Sequence, residues 1–230
     1  MKRLILILLV LALGVPAFAG ESQLEKATNV VNEIIGSPDS GIPSDLLNRA
    51  VCVGIVPSQL KFALGVGGTY GRGVLVCRKG GNGPWAAPSM FTLGAGSVGF
   101  QIGGKATDVV FIVMNPDGVK KLVQDSVKLG AEASVAAGPV GRSAEGATDV
   151  QLHAQILSYS RTRGLFAGVS LDGAVVKQDR GDNKIVYGRE ISARDILIKG
   201  AVAPPASAAA LDKTLMKYSP RGGQSFGDVQ

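Results

Sequence analysis

Three sets of residues in this 230-residue chain have the types and spacing for chemistry. The first is Gly94-Ala95-Gly96-Ser97-Val98-Gly99, the G-x-G-x-x-G spacing of a dinucleotide cradle, with Asp117 standing where a ribose-binding acid could lie. Such a cradle works only when a helix follows, because the pyrophosphate sits on the helix N-terminus. Here Phe100-Gln101-Ile102-Gly103-Gly104 follows, a poor helix, and nucleotide binding is not expected. The second set is Ser97, Asp149 and His153, which occur in hydrolase order around a nucleophile elbow with Ala95 in place of its first glycine. The elbow also needs a strand–turn–helix, and His153 is the sole histidine. A serine hydrolase on Ser97 and His153 is therefore the enzymatic alternative to a chain that is not expected to be an enzyme. The third set is basic: Arg72, Arg78, Lys79, Lys105, Arg161 and Arg163 lie on or beside glycine-rich strands. If they converge, they form a surface that reads phosphate, helped by backbone N–H groups freed at glycine turns. If not, they are a solubilising surface.

Metal chemistry has little to work with. One histidine and two cysteines give no zinc spacing, and Asp172, Asp179 and Asp182 lack the spacing of a calcium loop. No metal or cofactor is expected.

The elements that must position these residues are organised around Phe62–Arg78, FALGVGGTYGRGVLVCR. Phe62, Leu64, Val66, Tyr70, Val74 and Val76 alternate with Ala63, Gly65, Gly67, Thr69, Gly71 and Gly73, the period of a two-faced strand. Glycine weakens a strand unless another group approaches closely on that face. Ser89–Gly104 is a second glycine-rich strand pair, and Asp108–Met114 reads as a strand buried on both faces. Gly164–Val176 repeats the alternation of the first stretch. A helix over 21–35 carries Leu24, Ala27, Val30, Val31, Ile34 and Ile35 on one stripe, and a second over 117–130 carries Val119, Leu122, Val123 and Val127. Ser44 and Ser192 read as caps of short helices. The fold class is α+β: a single domain with a bent, largely antiparallel, glycine-rich sheet packed by peripheral helices.

Residues 1–19 read as a secretory signal peptide. Lys2 and Arg3 precede an apolar run from Leu4 to Val15, and Ala17-Phe18-Ala19 offers a cleavage point before Gly20 with no lipid-attachment cysteine. The expected location is periplasmic or secreted, in association with an envelope. Removal of that segment leaves a net charge of +4, which permits an anionic partner. Cys52 and Cys77 would then meet an oxidising compartment. A turn at Pro57-Ser58, however, would set Cys52 opposite the region of Val66, so a Cys52–Cys77 disulfide requires another arrangement of the strands. The domain is expected over 20–203, with a loosely ordered tail over 204–230 that holds a final helix at Ala206–Tyr218.

Several segments, taken together, resemble the SYLF domain family. They are IPSDLLNRAVCVGIVPS (42–58), GVGGTYGRGVLVCR (65–78), GPWAAPSMFTLGAGSVGFQIGG (83–104), DVVFIVMN (108–115), AAGPVGR (136–142) and SYSRTRGLFAGVSLDG (158–173). The resemblance implies a non-enzymatic lipid-binding module. Eukaryotic relatives bind phosphoinositides, yeast actin-patch members also bind actin, and bacterial members are secreted or envelope-associated. Lipid binding in relatives is tied to an amphipathic N-terminal segment, whereas here the 21–35 helix carries Glu21, Glu25 and Glu33 against Lys26. A signal peptide also separates the chain from cytosolic actin and phosphoinositides. The expected partner is therefore an anionic lipid or membrane surface, bound through the basic set, with no nucleic acid and no transmembrane span. A structural envelope module that binds another protein through a sheet edge is a further alternative.

Overall fold

The computed structural model describes residues 18–35, 41–99, 105–140, 153–162 and 165–220. The helices α1 (Phe18–Ile35) and α2 (Ser44–Arg49) lead into β1 (Cys52–Cys77), β2 (Ser89–Gly99) and β3 (Lys105–Val113). Then come α3 (Pro116–Leu122), β4 (Ser126–Lys128), β5 (Val135–Ala137), β6 (Ile156–Thr162), β7 (Leu165–Gly168) and β8 (Val175–Gln178). The chain closes with α4 (Arg180–Tyr187), α5 (Ala193–Leu197) and α6 (Ala209–Tyr218). The strands form one eight-stranded sheet in the order β4-β8-β2-β1-β3-β6-β5, with β7 also on β6. Every pairing is antiparallel except β5 with β6. This is the α+β class expected.

The central strand is longer than its sequence implies. Pro57-Ser58 does not turn the chain. It forms a bulge, where the β1–β3 register shifts between Val56 and Gln59 and Ser58 takes φ +52°. Asp108 Oδ1 accepts from the freed Ser58 N–H at 2.8 Å. The strand continues and folds back on itself midway. Its first half pairs with β3 and its second with β2, and the Arg78 N–H reaches Val51 O at 2.9 Å. The two ends thereby meet, with Cys52 and Cys77 joined by a disulfide at a Cα separation of 4.0 Å. The hairpin geometry expected from a turn at Pro57 is thus corrected, and with it the argument against this disulfide.

Two of the strand glycines face aromatic rings on the neighbouring strand. Gly54 is the register partner of Phe111 and Gly73 of Phe91. A Cβ at these glycines would lie 2.1 Å and 2.5 Å from the respective rings, which themselves meet edge-on with centroids 5.6 Å apart. Glycine here makes room for a cross-strand phenylalanine, and the ring restores the packing that glycine forgoes.

The sheet has a core on each face. Val53, Ile55, Val74, Val76, Val110, Ile112 and Leu157 pack against Leu24, Ala27, Val30, Val31 and Ile34 of α1 and Leu211 and Leu215 of α6. Val56, Leu75, Phe91, Leu93, Val109, Phe111 and Val113 pack against Val119 and Leu122 of α3 and Ile196 and Leu197 of α5. Four expectations change. The second helix stops at Leu122, and Val127 is buried by strand alternation in β4 on β8. Gly164–Val176 is not one strand: a turn through Gly173, at φ +79°, sends β7 to β6 and β8 to β2. Ser44 is the first helical residue of α2, whose cap position is Pro43, whereas Ser192 does cap α5 through the Asp195 N–H at 3.1 Å. The final helix is not loosely held: α6 is part of the core, and Ser219 beyond it is fully buried.

Candidate functional site

The fold-back gives the sheet two unlike ends. At one, the disulfide joins the ends of β1, and Arg78 follows it into the interior, fully buried. Its Nε donates to Ala50 O at 3.2 Å, Nη1 to Gly83 O at 3.2 Å, and Nη2 to Ser219 O and Oγ at 2.8 Å and 2.6 Å. The guanidinium lies 4.0 Å over the Trp85 ring. Burial pulls its pKa down to about 10, so it stays charged at neutral pH. Arg78 therefore ties loops and the C-terminal segment together, with its donors and its face engaged within the fold.

Two other expected cations are also engaged within the fold. Arg72 pairs with Asp182 and, at 3.6 Å, with Asp179, which caps α4. Burial and the neighbouring Asp179 raise the Asp182 pKa, against the pull of Arg72. Arg161 pairs with Glu33 of α1 and, at 2.9 Å, with Asp108, the same carboxylate that fills the β1 bulge. Lys79 is exposed on a 3-10 turn beside Trp85. Arg163 lies outside the described residues. Among the described members the basic set does not converge, because ion pairing across the fold disperses it.

The open end is different. Lys61 and Lys105 are register partners on β1 and β3. Lys61 is exposed, and it forms no ion pair among the described residues. Lys61 lines a groove of about 260 Å³ across the α3–α5 face of the sheet. The groove has apolar walls at Ala95, Val109, Val169 and Leu171, and hydroxyls at Thr69, Thr107, Ser160 and Ser170. Its carboxylate, Asp172, accepts from Ser170 Oγ at 2.5 Å. Such a lining suits an amphiphile: an anionic group near Lys61 and a short apolar part inside. Sequence reasoning named Lys105 but missed Lys61. The signal was the pairing of two lysines, which depends on the bulge.

The catalytic alternatives lose their geometry. Gly94–Gly99 lies within β2 along β1, and the next described element is β3, so neither motif opens a helix. Ser97 is opposite Gly67, toward the open end. His153 precedes β6 at the disulfide end, where Ile156 pairs with Val113 and Val113 with Cys52. Asp149 lies outside the described residues. Among the described residues no three metal-ligating side chains gather, and no helix is long and apolar enough to cross a membrane.

These features define a single-domain α+β protein with a curled antiparallel sheet, helices on both faces and a groove at one end. The chain belongs to the Ysc84 (SYLF) family: the family model described as "Las17-binding protein actin regulator" matches residues 94–218. It is 35% identical over 216 residues to LAS seventeen-binding protein 3 of Saccharomyces cerevisiae, covering 88% of this chain and 46% of that one. It is 40% identical over 177 residues to the SH3 domain-containing protein PJ696.02 of Schizosaccharomyces pombe, covering 76% and 40%. It is 32% identical over 205 residues to the SH3 domain-containing YSC84-like protein 1 of Homo sapiens, covering 86% and 59%. The chain spans about half the length of the curated relatives it matches.

Proposed function

We propose that this chain is a non-enzymatic Ysc84-family protein that binds anionic lipid at a membrane surface outside the cytosol. The observation that carries the reading is the amphiphilic groove with the exposed Lys61 on its lining, a cation that forms no ion pair among the described residues. The +4 balance after a signal segment at 1–19 has the matching sign. The Cys52–Cys77 disulfide suits an oxidising, periplasmic or extracellular compartment. The family model is described as a Las17-binding protein and actin regulator and one relative is named for Las17 binding, and a secreted chain would not meet cytosolic actin.

Co-sedimentation with phosphatidylcholine vesicles of rising phosphatidylglycerol content tests the reading. Binding rises with anionic lipid and falls with salt. Replacing Lys61 and Lys105 together by Gln weakens it by about thirtyfold, at about 1 kcal/mol per cation near an anionic surface. Equal binding to neutral vesicles, or indifference to salt, rules the mechanism out.

A further inference from the structure

We infer that Gln59 selects the ligand of the groove: its buried amide hydrogen-bonds the hydroxyls of a small polyol, the glycerol headgroup of phosphatidylglycerol. The inference rests on the lipid-binding reading above and adds the chemistry of the headgroup and the residue that reads it. Gln59 lines the groove and is only 8% exposed. Its side-chain amide forms no hydrogen bond among the described residues, yet neither amide atom is sealed off, so the amide opens into the groove. A buried amide left unpaired is an exception among native proteins and calls for a partner. The fold holds the side chain in place. A Cβ on Gly71 would lie 2.4 Å from Val56 Cγ1 and 3.2 Å from Gln59 Cα, so glycine lets the returning half of β1 close over this position. Thr107, the register partner of Gln59, is engaged instead with Thr162, their hydroxyls 3.3 Å apart.

Charge does not choose the occupant, because the groove is balanced. Lys61 and Asp172 are the charged side chains that line it, one of each sign. Asp108 and Arg161 are register partners next to Val109 and Ser160 of the lining, and alternation puts them on the opposite face, where Arg161 pairs with Glu33 of α1. Selection therefore falls to hydrogen bonds. The Gln59 amide both donates and accepts. So do the hydroxyls of Thr69 and Ser160, which form no side-chain hydrogen bond among the described residues. Ligand hydroxyls match this set, since they too donate and accept. A carboxylate only accepts and an ammonium only donates, so either leaves part of the lining unmatched. Val109 and Val169 take the C–H edges of the polyol. At about 260 Å³ the groove is smaller than the ~300–1,000 Å³ of sites that enclose drug-sized ligands, so it holds a headgroup and leaves the acyl chains outside.

The test compares phosphatidylcholine vesicles that carry phosphatidylglycerol with vesicles that carry phosphatidylserine at the same mole fraction. The two lipids bring the same net charge, and their headgroups differ in hydroxyls against an ammonium and a carboxylate. The unaltered chain binds the phosphatidylglycerol vesicles about tenfold more tightly, the scale of a hydrogen bond. Gln59→Met binds both kinds alike and keeps the salt dependence. Its urea unfolding midpoint does not fall, because no bond within the protein is lost and an unpaired amide leaves the interior. Soluble glycerol phosphate separates a free polyol from a lipid headgroup. The probe is the side-chain amide NMR resonance of Gln59, identified by its absence from Gln59→Met, which shifts on addition. Equal binding to both vesicles, a preference for phosphatidylserine, or a Gln59→Met variant that keeps the preference overturns the inference and leaves the lipid reading standing. A lowered urea midpoint in Gln59→Met makes the residue part of the fold and also overturns it. No vesicle binding, with a shift by glycerol phosphate, keeps the polyol assignment and overturns the lipid reading. No vesicle binding and no shift overturns both.

Discussion

Arg78 shows how far a residue's role can depart from its type. A guanidinium on a glycine-rich strand reads as a phosphate ligand, yet its donors are committed to Ala50 O, Gly83 O and Ser219, and its face to Trp85. Removing it leaves buried carbonyls without donors, at about 1–3 kcal/mol for each group left unsatisfied. Arg78→Ala should therefore lower the urea unfolding midpoint sharply. Arg78→Lys should recover only part, because an ammonium cannot span carbonyls that a planar fork reaches in different directions. The folded Arg78→Lys protein should bind anionic vesicles as well as the unaltered chain does. Wild-type stability in Arg78→Ala, or a loss of vesicle binding in Arg78→Lys, would return this residue to the surface. Lys61 makes the converse case, since nothing in its neighbourhood in sequence marks it. Its place beside the groove follows from the register that the bulge sets, which makes Lys105 its partner in the ladder.

At the scale of elements, what the sequence makes plain is what local periodicity controls. Leu24, Ala27, Val30, Val31 and Ile34 of the α1 stripe, and Val109, Val110, Phe111, Ile112 and Val113 of β3, are buried as their spacing implies. What it hides depends on contacts distant in the chain. Pro57-Ser58 has the composition of a turn and becomes a bulge because Asp108, far along the chain, supplies an acceptor for the Ser58 N–H. The alternation from Gly164 to Val176 is unbroken by eye, but Gly173 adopts a turn conformation and two different strands compete for the halves. Arg72 and Arg161 were legible as cations, whereas their neutralisation by Asp182 and by Glu33 and Asp108 was not, because the partners come from other elements. The doubled β1 has its own consequence. The disulfide closes the loop between its ends, with a sequence separation of 25, and chain-entropy arguments give such a crosslink about 3 kcal/mol. Replacing both Cys52 and Cys77 by Ala should reduce unfolding free energy by about that amount and preserve the far-ultraviolet spectrum. A change below about 1 kcal/mol would mean that the ladders alone hold the ends of β1 together, since engineered and native crosslinks fall short when the open form retains structure.

The whole molecule is closed by its last helix. Among the described residues, α1 near the start of the chain and α6 near its end lie together on one face of the sheet, with Leu211 and Leu215 buried against the α1 side. Beyond α6, Ser219 Oγ donates to Leu47 O at 2.9 Å while Ser219 accepts from Arg78. The helix, the α2 loop and the disulfide end of the sheet are thus one unit, and the part of the expected loose tail that reaches Ser219 is packed into it. Ending the chain at Ala203 uncovers apolar surface on α1 and leaves Arg78 without its Ser219 acceptors. Two leucines at about 1.5–3 kcal/mol each, with the lost Arg78 bonds added, approach the 5–15 kcal/mol that holds a typical domain together. The shortened chain should therefore lose its cooperative thermal transition and its near-ultraviolet dichroism. A shortened chain that melts cooperatively near the full-length temperature would show that α6 rests on a core complete without it. The open end, where Lys61 lies, is remote from this latch along β1. Substitutions there should change vesicle binding without moving the melting temperature, and those at the latch should do the reverse.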